Sequence, residues 1–265
     1  MNELPATRPR VILLGASNVS RGLDTIVDLA RSILGAPIDL FAAIGRGRSY
    51  GQWSRLLGRS LPGILDCGLW SALRSTPGNA PVYALVTDIG NDIIYGVEPE
   101  RLVEWIAEST TRLHAFGAKT TVTGLPIERL ESIRPVEFAL FTRLVLPSNQ
   151  VTLEHGVEAA KLVQAATREL TARRQVAFVP LAERWYGRFD PVHVPHAKAP
   201  EFWRHLLINW SQRSQVTPPE LPRRSWRRWW RYTRLNPVHQ KRFGRVVETP
   251  QPCLRLRDGS TISLF

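Results

Sequence analysis

Short β-branched runs alternate with stretches of helical spacing along most of this chain, and that alternation constrains the fold more than any other feature. Arg10–Leu14 is a brief Val, Ile and Leu run that ends in a polar turn. From Gly22 to about Leu34, apolar residues fall at Leu23, Ile26, Val27, Leu29, Ala30 and Ile33, the spacing of one helix face. Pro37–Ala43 reads as a second strand leading into the glycine-rich turn Gly45–Gly51. Pro81–Thr87 reads as a third, followed by a loop over Asp88–Gly96. Leu102, Val103, Ile106, Leu113 and Phe116 put one apolar stripe on a long helix, which Gly117 stops. Lys119–Thr123 is the fourth strand, and a long loop containing Pro135 and Pro147 follows it. Val157, Ala160, Val163, Ala166 and Leu170 mark another helix, Gln175–Pro180 the fifth strand, and Glu201–Trp210 a closing helix. Strands and helices in this order predict an α/β fold, a three-layer α/β/α sandwich whose parallel sheet is covered on both faces.

A chain of 265 residues with 43% hydrophobic content is long and apolar enough for one large domain plus an appendage, which excludes a disordered protein. The composition changes at Pro218-Pro219. The expected organisation is therefore a main domain over 1–217 and an Arg/Trp-rich extension over 218–265, ending in a β-hairpin about Asp258-Gly259. The net charge of +12 is concentrated in that extension. Arg223, Arg224, Arg227, Arg228, Arg231, Arg234, Lys241, Arg242 and Arg245 follow one another with no acidic residue between them. Trp226, Trp229, Trp230 and Tyr232 are interleaved with these cations. The segment Arg223–Arg245 is thus a candidate for peripheral contact with an anionic membrane or with nucleic acid. In the competing reading, which is preferred, the tryptophans pack on the main domain and the arginines are solvated. Cys67 and Cys253 match no metal or redox spacing and read as ordinary thiols. The first apolar run is too short for a signal-peptide core, and no segment approaches the ~20 apolar residues of a transmembrane helix. The expected location is cytoplasmic, with membrane contact at most peripheral.

Four polar fragments sit at strand ends of this pattern or on its late loops: Gly15-Ala16-Ser17-Asn18, Gly45-Arg46-Gly47, Gly90-Asn91-Asp92 and Asp190-Pro191-Val192-His193. In open α/β sheets ligands bind beyond the carboxyl ends of the strands. Together the fragments hold a nucleophile, a base with its orienter, and oxyanion donors, the parts that acyl transfer needs. Ser17 is a poor nucleophile until a base takes its proton, which is a role for His193. Asp190, three residues earlier, can accept a bond from the imidazole and fix its tautomer. Asp92 is expected to cap the helix that follows it, and His196 to be structural or solvated. A metal site on Asp190, His193 and His196 lacks further spaced ligands. A dinucleotide-binding loop at Gly15–Gly22 lacks the G-x-G-x-x-G spacing, and no tyrosine has a lysine four residues later.

In these four blocks and their order, residues 10 to 214 resemble the SGNH hydrolases, the GDSL esterase/lipase superfamily. The matches are Gly15-Ala16-Ser17, Gly47, Gly90-Asn91-Asp92 and Asp190-x-x-His193. The resemblance implies the flavodoxin-like SGNH hydrolase fold and a catalytic set of Ser17, Asp190 and His193. It also implies an oxyanion hole from the Ser17 and Gly47 backbone N–H groups and the Asn91 side chain, with no cofactor and no metal. Gly47 is preferred to Gly45 because it falls where the family's second-block glycine would. The α/β-hydrolases instead place the serine in Gly-x-Ser-x-Gly, which this chain lacks. Two positions depart from the family pattern: Ala16, where Asp is frequent, and Arg48, where an acidic or small residue is common. Arg46 and Arg48 are expected on the rim of the site as solvated charges, the alternative being attraction of an acidic substrate. The implied function is a serine esterase that cleaves a carboxylic ester through an acyl-enzyme. Its substrate would be a small-molecule or glycan ester; lipid, acetylated sugar and thioester remain open. The alternative is a catalytically silent protein of the same fold that docks through its basic extension.

Overall fold

β1 (Arg10–Leu14) is buried along its whole length after Arg10. Val11 and Leu13 enter one hydrophobic cluster, and Ile12 and Leu14 enter another on the opposite face. A strand covered on both sides has no polar face to show water, so its sequence reads as a continuous apolar run. The structure, a computed structural model, describes residues 8–56, 58–76, 78–138, 151–187, 190, 192–211, 220–222 and 225–265. Among these, β1 lies between β2 (Asp39–Ala43) and β5 (Val82–Val86), both parallel to it. β6 (Ala118–Thr123) and β7 (Ala177–Val179) continue the sheet beyond β5, again parallel. On the other side β11 (Thr261–Leu264) pairs parallel with β2, and β10 (Leu254–Arg255) pairs antiparallel with β11. The sheet order is β10-β11-β2-β1-β5-β6-β7. The chain leaves β1 for a neighbour on one side and later returns to the other, so the switch point lies at the carboxyl ends of β1 and β5.

Helices cover both faces. α1 (Ser17–Leu34), α7 (Ala199–Leu207) and α8 (Trp226–Thr233) belong to one layer, α1 packing against both of the others. α2 (Leu69–Arg74), α4 (Pro99–Ala115) and α6 (Leu153–Arg173) cover the opposite face. Ile26 and Leu29 of α1 are buried, each contributing roughly 1.5–3 kcal/mol. Gly22 lies in the second turn of α1 and must be glycine, because a Cβ there would meet Trp203 Nε1 at 2.0 Å. The helix therefore starts at Ser17, five residues before the sequence pattern placed it. Two short helices occupy expected loops: α3 (Asn91–Ile94) and α5 (Ile127–Glu131). Pro147 lies outside the described residues. No helix among those described is long and apolar enough to cross a membrane.

The expected boundary at residue 217 does not divide the fold, although Pro218, Pro219, Arg223 and Arg224 themselves lie outside the described residues. Tyr232, Leu254, Ile262 and Leu264 sit in the same buried cluster as α1 and β2. The segment after 218 therefore supplies an edge of the central sheet and part of its core. The turn at Asp258-Gly259 does join two antiparallel strands, Gly259 taking φ +88°. A second sheet, unforeseen in the sequence, pairs β3 (Ser54–Leu56) and β4 (Arg59–Leu61) with β8 (His239–Arg242) and β9 (Arg245–Glu248), all antiparallel.

In α8 the tryptophans divide. Trp229 donates its indole N–H to Arg21 O at 3.0 Å, Tyr232 is buried, and Arg228 pairs with Asp28 at 2.6 Å. Trp226 (68% exposed) and Trp230 (42%) face outward beside the exposed Arg227, Arg231 and Arg234.

Candidate active site

Ser17 is the first residue of α1, directly after β1 and at the switch point. The residue before it, Ala16, has no side chain that could cap the helix. The missing acceptor comes from Asp88, at the end of β5. Its Oδ2 accepts the backbone N–H groups of Ala16 (2.9 Å), Asn18 (3.0 Å) and Val19 (3.2 Å). A carboxylate at a helix N-terminus satisfies orphan amides and meets the positive end of the dipole. Asp88 itself adopts φ +57°, a left-handed conformation that Asp tolerates better than most residues. The Ser17 N–H is not among the amides spent on Asp88.

Asn18 ties the nucleophile's helix to the loop that carries the base. Its Nδ2 donates to Asp88 Oδ1 (2.9 Å) and to Val192 O (3.0 Å), while its Oδ1 accepts from Val194 N (2.9 Å). Both residues flanking His193 are thereby fixed. His193 Nε2 lies 2.9 Å from Ser17 Oγ, and Nδ1 lies 2.9 Å from each oxygen of Asp190. Asp190 also accepts the His193 backbone N–H at 3.1 Å, and the Arg21 guanidinium stands 3.5 Å away. Burial raises the Asp190 carboxyl, but its hydrogen bonds to His193 and the charges of His193 and Arg21 outweigh this and hold it below the ordinary range. Pro191, between the two, lies outside the described residues.

The expected oxyanion donors occupy two turns. Asn91 opens α3 and lines the same cleft as Ser17; among the described residues its Nδ2 makes only a long 3.4 Å contact with Arg48 O. Gly47 lies on the turn after β2 with φ +65°, and its carbonyl accepts the Tyr95 hydroxyl. A Cβ on Gly47 would meet that hydroxyl at 2.7 Å, so both conformation and space require glycine there. Gly47 is not part of the wall of the Ser17 cleft, and neither is Gly45.

Three expectations are corrected or refined. Arg48 is neither on the rim nor solvated: it is 0% exposed, and its guanidinium donates to the carbonyl oxygens of Ile44, Pro62 and Phe265. Burial pushes its pKa down. Arg46 is exposed, as expected. Asp92 does not cap α3; it is fully buried and accepts the Ser49 hydroxyl and the Tyr50 N–H (2.9 Å), joining the second and third blocks. Burial raises its carboxyl to about 6, against the pull of those two bonds. His196 packs edge-on to Trp229 at 5.8 Å. Among the described residues no cluster of three His, Cys, Asp or Glu side chains could hold a metal. Sequence reasoning passed over Asp88 and gave Asn18 no role. It also missed Tyr50, whose buried hydroxyl bonds Thr87 O (2.7 Å) between the ends of β1 and β5.

A cleft of about 100 Å³ opens beside Ser17, bounded by α3, α5, the first half of α6 and the loop before His193.

No family model and no curated relative matches this sequence. Solved structures do. The aryl esterase of M. Smegmatis aligns with a TM-score of 0.53 at 13% identity, over 76% of this chain and 98% of that one. A carbohydrate acetylesterase from Sinorhizobium meliloti, Est24, has the same values. A carbohydrate acetylesterase family member from the same organism gives 0.51 at 14%, over 76% of this chain and 96% of that one. The fold of this chain is that of the SGNH-type esterases.

Proposed function

We propose that this protein is a serine hydrolase that cleaves carboxylic esters through an acyl-enzyme on Ser17. The observation that carries the reading is the continuous relay Ser17 Oγ···His193 Nε2 (2.9 Å) and His193 Nδ1···Asp190 (2.9 Å) at the sheet's switch point. With the Nδ1 proton directed at Asp190, Nε2 accepts the Ser17 proton as Oγ bonds to the acyl carbon. The carbonyl electron pair moves to oxygen, where the Ser17 N–H and the Asn91 amide, both on the cleft, are the assigned donors and the Gly47 N–H is the third that the resemblance implies. Removing one such donor typically costs about 3 kcal/mol of transition-state stabilisation. Collapse breaks the bond to the alcohol, which takes the proton from His193. Water then repeats the sequence and releases the acid.

A fluorophosphonate should label wild-type protein at Ser17, and p-nitrophenyl esters should be hydrolysed. Ser17→Ala and His193→Ala should each lower kcat by at least about 10³-fold with the fold unchanged. Wild-type turnover in either variant would refute the mechanism. Absence of labelling and hydrolysis in the parent protein would favour the silent, docking reading instead.

For the basic segment we propose contact with an anionic lipid surface through the outward face of α8. Paired indoles at Trp226 and Trp230 (5.7 Å between rings) beside three exposed arginines suit a membrane interface better than a nucleic-acid backbone. Wild-type protein should co-sediment with phosphatidylserine vesicles and lose most binding in Trp226→Ala/Trp230→Ala. Binding to single-stranded DNA but not to vesicles would overturn the choice.

A further inference from the structure

The proposed reaction leaves the lining of the Ser17 cleft unexplained. Among the described residues its wall carries five polar side chains: Ser17, Asn18, Asp88, Asn91 and Tyr186. Two of these are already committed. Asp88 receives four hydrogen bonds, and the Asn18 amide donates to Asp88 and Val192 and accepts from Val194. Of the described side chains, Ser17, Asn91 and the Tyr186 hydroxyl remain to meet a ligand, and the first two have roles at the reacting carbonyl.

The rest of the described wall is apolar and mostly aliphatic. Ile93 and Ile94 come from α3 and Leu130 from α5. α6 presents Leu153, Gly156, Val157 and Ala160, the i, i+3, i+4, i+7 row of one helix face. Gly156 and Ala160 keep that row low, leaving room between it and α3. A sugar ring in this space would leave hydroxyls without partners, at roughly five- to a hundredfold in affinity for each. An alkyl chain gains roughly fourfold for each methylene buried.

We infer that the ester cleaved by this protein carries an aliphatic chain of several carbons, which lies in the cleft against α6. This rests on the ester-hydrolase reading above. The chain can belong to the acid or to the alcohol, and two substrate series separate these sources. One lengthens the acyl group of p-nitrophenyl esters from acetate to hexanoate; the other lengthens alkyl acetates from ethyl to hexyl. kcat/KM should rise at least tenfold along one series, which identifies the part of the ester held in the cleft.

Gly156→Leu tests the position directly. Leucine is a better helix former than glycine, and among the described residues a Cβ at 156 meets only Val151 Cγ1, at 3.7 Å. The variant should lose at least tenfold on the longest ester of the responsive series while the shortest changes by less than about threefold. Gly156→Ala should fall between, and the wild-type series decides the question if the leucine variant does not fold. Labelling of Ser17 by a small fluorophosphonate together with two flat series would overturn the aliphatic chain and leave the hydrolase reading standing. So would faster cleavage of an acetylated monosaccharide than of any longer ester. No labelling and no hydrolysis of any ester would overturn both.

Discussion

Replacing Asp88 by Asn should damage both stability and turnover, although it changes one atom and leaves Ser17, His193 and Asp190 untouched. The carboxylate receives donors on both oxygens: three backbone amides on Oδ2 and the Asn18 side chain on Oδ1. An amide has one acceptor oxygen, so it can serve only one of these sides. If it keeps the three backbone amides, its NH2 faces the NH2 of Asn18. If Asn18 turns over to relieve that, its oxygen leaves Val194 N–H and its NH2 leaves Val192 O, which stand at 2.9 and 3.0 Å. Either arrangement strands a partly buried polar group, at about 1–3 kcal/mol. Loss of the charge at the start of α1 adds about 0.3–1 kcal/mol. The expected destabilisation is about 2–3 kcal/mol by denaturant unfolding. Since His193 sits between Val192 and Val194, a shift near 1 Å would lower kcat by about 10²-fold. Asn18→Ala breaks the same link, so the double variant should lose little more activity than the worse single variant. Additive losses, or wild-type kcat in Asp88→Asn, would show that Asn18 does not place the base.

Two other buried charges give separate tests. Asp92 has a folded pKa near 6 against an ordinary 3.8. Its contribution to stability is therefore complete below about pH 3.8 and lost as pH rises through 6. At 1.36 kcal/mol per unit, the stability of wild type minus that of Asp92→Asn should fall by up to about 3 kcal/mol between pH 4 and 7. A flat difference across pH-dependent denaturation curves would remove this account. Arg48→Met should cost about 3 kcal/mol or more, because three buried carbonyl oxygens lose their donor. Thermal unfolding checks it, and an unchanged Tm would mean that these oxygens find other partners.

The strands β1 and β5 lie within a residue of where their apolar runs place them, because burial on both faces writes itself directly into sequence. The start of α1 is not legible in that way. Ser17-Asn18-Val19-Ser20-Arg21-Gly22 is a poor helix former taken alone, and its capping acceptor lies 70 residues downstream of Asn18. β3 and β4 have three residues each, and β4 finds β8 only after a long excursion of the chain, so no local period announces them. The Asp190–His193 pair is visible because it is local. Asn18 is opaque because its partner Val192 is 174 positions away. Arg48 misleads for a related reason: a charged residue in a polar turn looks solvated until three carbonyls, one of them 217 positions away, enclose it.

The parallel pairing of β11 with β2 has a consequence for the order in which the molecule is made. Thr261 and Asp39, bonded side chain to side chain, are separated by 222 positions. At synthesis rates of roughly 5–20 residues per second, β2 leaves the ribosome about ten to forty seconds before its neighbour exists. During that interval its outer edge presents unpaired N–H and C=O groups, a template for any passing strand. Folding of the nascent chain must therefore wait, or be shielded, until the strand at 261–264 arrives to close that edge.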